Sequence, residues 1–215
     1  MAENQAKNTG PGTNRIEAFS DGVFAIVITL LIFQIQIPEV NNKADWKELF
    51  YALYNLAPKF LGYVTSFFFV AVFWISHHQF FNTLNFSKRG LLWLNNLFLF
   101  FVTFIPFPTG VLGAYHENLT AVIFFGLTFF AASLTYAILR WYGWESNETS
   151  DKFDHNSLRN AMRFSFLLPL LYLIGIIVAL FNLPIAILIY FLTPILLIKP
   201  IKLKTEELNK DDLEA

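Results

Sequence analysis

Arg15-Ile-Glu-Ala-Phe19-Ser20-Asp21 runs directly into Gly22-Val-Phe-Ala-Ile26-Val-Ile-Thr29-Leu30-Leu-Ile-Phe33. The apolar run from Ile16 to Ile37 ends before Pro38. It is long enough for one helix across hydrocarbon about 30 Å thick, which takes roughly 20 residues. A charged side chain costs about 2.5–3.5 kcal/mol at the centre of such a helix on insertion scales, and a polar cluster at its mouth is costly too. Such groups therefore need partners within the protein, and Ser20 and Asp21 become candidates for a functional cluster.

Helix residues advance about 100° each. Arg15, Phe19, Gly22, Ile26, Leu30 and Phe33 then share one stripe, with Thr29 on its flank, all within about 60° of Ile26. Ser20 and Asp21 point away from that stripe, at about +120° and −140°. The first helix thus has an apolar line on one side and a polar anchor on the other. An apolar stripe alone is compatible with lipid contact or ordinary core packing, and a boundary carboxylate with simple solvation near a helix N-terminus.

Composition places the helix in its setting. The chain has 215 residues, 55% hydrophobic and only 14% charged. Soluble domains carry about 25% charged residues, so this is an integral membrane protein. A net charge of −1 gives no ground for a nucleic-acid partner. The absence of cysteine excludes disulfides and thiolate chemistry. The N-terminal stretch lacks the apolar run and cleavage pattern of a secretory signal, so the first helix is expected to persist.

Six apolar stretches suggest six transmembrane helices in an all-α fold: about 16–37, 58–78, 91–111, 119–141, 160–181 and 184–198. The second is open to an extension from an amphipathic helix beginning near Asp45, and the last is short and contains Pro194. With the N-terminus inside, 12 Lys and Arg fall on cytoplasmic segments against three outside, Lys43, Lys47 and Lys59. This bias places both termini in the cytoplasm. Residues 1–14 are read as a disordered tail, 15–200 as one six-helix domain and 201–215 as a charged tail. Trp46, Trp93, Trp141 and Trp144 lie near helix ends, as in aromatic belts. Trp74 lies within a span and calls for a specific partner.

Candidate partners for the polar face share its depth. Under this topology Trp74 and His77 close the second span on the cytoplasmic side, and Asn95 and Asn96 sit about a turn into the third. Polar groups within a membrane usually hydrogen-bond across helices, so these residues are expected to fix the rotation of the first helix. Other chemistries fare worse. His77-His78 has no metal-ligand spacing around it. Ser20, Asp21 and His77 come without a nucleophile elbow. No T-V-G-Y-G filter and no Arg-rich voltage-sensor helix occurs. No cofactor or structural metal is expected, and no set of residues points to an enzyme.

The Arg15…Phe19-Ser20-Asp21 motif on the first of six spans resembles the endosomal/lysosomal potassium channel family (transmembrane protein 175), in its bacterial single-repeat form. Trp74-x-x-His77-His78 and Asn95…Ile105-Pro106-Phe107 are similar to the family's second and third helices. The resemblance implies a homotetramer in which four copies of the first helix line a central pore. It implies a constriction of bulky apolar side chains in place of a carbonyl filter, at Ile26, Leu30 and Phe33 with Thr29 beside them. Arg15, Phe19, Ser20, Asp21, Trp74, His77 and the third-helix asparagine would hold the pore helix. Phe33 is bulkier than the aliphatic residue expected at the outer ring. The implied activity is a potassium-selective, leak-like cation channel with a narrow apolar neck in a bacterial plasma membrane. The competing reading is a proton-coupled secondary transporter working through Asp21 and His77, although neither an internal repeat nor a broken first helix supports it.

Overall fold

A computed structural model describes residues 12–146 and 155–196. The expected N-terminal tail lies outside these residues but for its last few positions, as do the C-terminal tail and most of the polar loop after Trp144. Every regular element among the described residues is helical.

The first helix, α1 (Asn14–Leu30), tightens into one 3₁₀ turn over Leu31–Gln34. The chain becomes extended at Ile35, so the helix stops at Gln34, three residues before the expected Ile37. The short α2 (Trp46–Tyr54) starts at Asp45, whose side chain accepts the Lys47 amide. Two residues separate it from α3 (Ala57–Phe81), which carries Pro58 in its first turn, where a missing N–H costs nothing. The amphipathic segment and the second span are therefore separate helices.

Two of the expected spans are jointed by proline. α4 (Arg89–Phe104) and α5 (Pro106–Ala114) form one apolar stretch from Arg89 to Ala114, broken where Pro106 cannot donate. The Thr109 hydroxyl bonds to the Ile105 carbonyl at 2.8 Å beside this break. It also lies 2.6 Å from the Ser66 hydroxyl, joining α5 to α3. α6 (Leu119–Ser146) is continuous. α7 (His155–Ser165) and α8 (Leu167–Ala179) meet at Phe166, three residues before Pro169. α9 (Leu183–Leu196) contains Pro194.

Five stretches among the described residues are long and apolar enough to cross a membrane: Asn14–Gln34, Ala57–Phe81, Arg89–Ala114, Leu119–Glu145 and Arg159–Ala179. α9 is apolar but shorter. Its 14 residues span about 21 Å at about 1.5 Å per residue, short of the roughly 30 Å of hydrocarbon.

An aromatic core joins α3, α4, α6 and α8. Phe69 meets Phe73 and Phe129 edge-on at centroid distances of 4.4 and 4.3 Å. Phe98 lies 5.1 Å from Phe73 and 4.9 Å from Tyr136. Such pairs contribute about 0.5–1.5 kcal/mol each beyond burial. In a bilayer, where apolar contact with lipid is nearly as good as contact with protein, this shape-specific packing matters more than hydrophobicity.

Candidate functional site

The rotation of α1 is fixed by what lies on each side. Ile16, Ser20, Phe24, Val27 and Leu31 are buried. On the angular scale used above these five fall between about 80° and 160° from Ile26, a single face. Arg15, Phe19, Gly22, Ile26, Thr29, Leu30 and Phe33 are all exposed within the subunit. Ile26 is 60% exposed and Phe33 72%, so the stripe has no cover from its own chain.

Two hydrogen bonds tie the opposite side to α3 and α4, and a third joins those two helices beside it. The Trp74 indole N–H donates to Asp21 Oδ1 at 2.9 Å. The Asn95 Nδ2 donates to Ser20 Oγ at 3.1 Å, and Asn95 Oδ1 lies 2.8 Å from His77 Nε2. A carbonyl oxygen can only accept, so His77 donates from Nε2. Ser20, His77 and Asn95 are buried, whereas Asp21 and Trp74 remain accessible at the edge. Beneath them Phe24 meets the His77 ring edge-on at 5.6 Å and Phe98 at 6.0 Å. A buried polar chain of this kind is costly when incomplete and orients its helices when complete.

The structure thus brings together Ser20, Asp21, Trp74, His77 and Asn95. It leaves out three residues expected beside them. Arg15 and Phe19 belong to the exposed stripe, and Asn96 is exposed, turned about 100° from Asn95 on α4. Thr29 donates its hydroxyl to the Ile26 carbonyl at 2.8 Å, so both polar groups of that turn are engaged within the helix. Phe24 was not singled out from sequence. Its signal was present, because it follows Ser20 by four residues and shares its face.

A bundle of helices long and apolar enough to cross a membrane, with one helix held by polar contacts and presenting an uncovered row of side chains, defines an integral membrane protein. Residues 15–106 match the family described as "Endosomal/lysosomal potassium channel TMEM175". A potassium channel of Chamaesiphon minutus is 36% identical over 144 residues, covering 65% of this chain and 68% of that one. A potassium channel of a Chryseobacterium species is 30% identical over 191 residues, 87% of this chain and 93% of that protein. The crystal structure of a lysosomal potassium-selective channel TMEM175 homolog from Chamaesiphon minutus superposes with a TM-score of 0.77 at 29% identity, covering 86% and 95% of the two chains. The chain belongs to the TMEM175 potassium channel family. The human member, described as a proton channel, is 43% identical over 97 residues, which cover 43% of this chain and 19% of that protein. The family is one of ion channels and not an enzyme class.

Proposed function

We propose that this protein is a potassium-selective, leak-like channel whose neck is made by α1 from four identical subunits. The observation that carries the reading is the uncovered stripe of α1, set opposite a face pinned by Ser20, Asp21, Trp74, His77 and Asn95. Around a central axis, Ile26, Leu30 and Phe33 form successive apolar rings, with Thr29 flanking them. Arg15 and Phe19 continue the same line toward the N-terminal mouth and contribute to it rather than to the hydrogen-bonded anchor. The bacterial origin of the potassium-channel relatives agrees with a plasma-membrane location.

An apolar ring conducts only when wetted, and an ion must shed part of its hydration to pass. Potassium gives up its shell more readily than sodium, so a tight ring favours it by a modest factor. Thr29 donates its hydroxyl hydrogen to the Ile26 carbonyl and keeps its oxygen lone pairs, so it adds a polar group beside rings whose width and wetting govern passage. Gln36 and Glu39 follow the stripe and supply polar and negative groups at the far mouth, where charge concentrates cations, whereas the Gln34 side chain lies against Gly110 of α5.

The test is the reversal potential of purified protein in a planar bilayer with KCl opposite NaCl. Reversal toward the potassium equilibrium potential is expected, and Ile26→Asn should raise conductance and reduce the preference for potassium. A variant with unchanged current and preference would remove Ile26 from the neck. The description of the human relative as a proton channel makes a pH gradient the second condition. Flux that appears only under that gradient, without passive current, would favour the transporter reading and make Asp21 and His77 its site.

A further inference from the structure

The surface of α2 is the opposite of a core helix. None of its nine residues is buried. At about 100° per residue, Leu49, Leu53, Trp46, Phe50 and Tyr54 fall within one arc of about 140°. Trp46 is 71% exposed, Phe50 58% and Tyr54 69%. The other side faces the protein itself. There Glu48 accepts the backbone amides of Asn41 and Asn42 at 2.7 and 3.0 Å and the Asn41 side chain at 3.1 Å. These bonds hold the Glu48 carboxyl below the usual carboxylate range. The polar side is thus used by the preceding loop, and the aromatic side has no partner in the chain.

Connectivity fixes the depth of this helix. The chain leaves one crossing at Gln34 and enters the next at Ala57. Residues 35–56 therefore lie at the membrane face opposite the N-terminus, and only Asn55 and Leu56 separate α2 from the helix that re-enters the hydrocarbon. At this depth the medium is the headgroup layer. Trp and Tyr, with an apolar body and a polar tip, concentrate there. A short helix with an aromatic-aliphatic face, Lys47 at its border and Glu48 opposite is built to lie in that layer.

We propose that α2 is an interfacial helix, seated parallel to the membrane with Trp46, Leu49, Phe50, Leu53 and Tyr54 in the lipid headgroup–acyl boundary. The partner is the bilayer surface. The inference depends on the membrane crossings and not on ion conduction.

The chain has no cysteine, so one introduced thiol is a unique label site. Single variants such as Trp46→Cys, Lys47→Cys, Phe50→Cys, Tyr51→Cys and Leu53→Cys would be reconstituted in phosphatidylcholine–phosphatidylglycerol vesicles and labelled with a nitroxide. Collision with oxygen and with a water-soluble nickel chelate would then be compared. Positions 46, 50 and 53 should favour oxygen at depths of about 5–10 Å below the phosphates, and 47 and 51 should favour nickel. Equal nickel access around the helix would overturn the proposal in favour of water. Immobile labels closed to both reagents at 46, 50 and 53 would overturn it in favour of a second protein surface. Several positions are read, so one variant that fails to fold leaves the pattern decidable.

Discussion

Asn95 serves two helices with one amide, accepting from His77 and donating to Ser20. Its replacement leaves two buried groups without partners, each at a cost of about 1–3 kcal/mol. Asn95→Ala should therefore lower stability in detergent by at least about 2 kcal/mol, whereas Trp74→Phe, which removes a bond at the accessible edge, should cost about 1 kcal/mol or less. Denaturant unfolding of the two variants checks the order; equal losses would mean that the buried chain does not dominate. Much of this cluster was legible in the sequence, because positive-inside counting put Ser20, Asp21, Trp74, His77 and Asn95 at one depth. The choice between Asn95 and Asn96 was not, since adjacent residues differ only by a rotation that neighbouring helices decide. Arg140 was also opaque. Counted as a cytoplasmic charge, it is also buried, with its guanidinium 4.6 Å from the Trp144 ring centre. A charge count along the chain carries no information about such stacking.

At the scale of elements, close helix contact is set by glycine. Gly175 of α8 lies against the ring of Tyr190 on α9, and an added methyl would overlap that ring. Gly175→Ala should lower stability by about 1–3 kcal/mol, the usual cost of overpacking. Tyr190→Phe should not, because the Tyr190 hydroxyl is buried without a hydrogen-bond partner. Thermal unfolding of both variants separates ring contact from hydroxyl contact, and a harmless Gly175→Ala would mean that α8 and α9 can move apart. Five of the six expected spans could be read from apolar run length alone. The breaks at Pro106 and Phe166 were harder, since proline in a membrane helix is tolerated wherever neighbours cover the freed carbonyl. At Pro106 the Val102 carbonyl accepts the Ile105 amide instead, a local tightening that residue types alone do not announce.

For the whole molecule, Gly22 is the informative position. It lies on the exposed stripe, and a methyl there would meet nothing within 4 Å in its own subunit. Glycine within a helix costs about 0.5–1 kcal/mol relative to alanine, so the isolated subunit has no packing reason to keep it. Small residues allow membrane helices to approach closely. Gly22→Ala should therefore leave the subunit fold intact and weaken the proposed tetramer, read as a shift to lower mass by native mass spectrometry in detergent. An unchanged assembly would put the close approach of subunits elsewhere.

The 3₁₀ turn over Leu31–Gln34 has a consequence for the far end of that stripe. Such winding advances about 120° and 2.0 Å per residue, against about 100° and 1.5 Å in an α-helix. Three residues of it carry Phe33 about 60° around and about 1.5 Å along from where uninterrupted α-winding would leave it. The outer side chain is thus aimed by local twist, while Ile26 is aimed by the rigid rotation of the helix. Relaxing this single turn to α-winding would swing Phe33 like a crank and draw it back, and would have to carry the fully buried Leu31 with it.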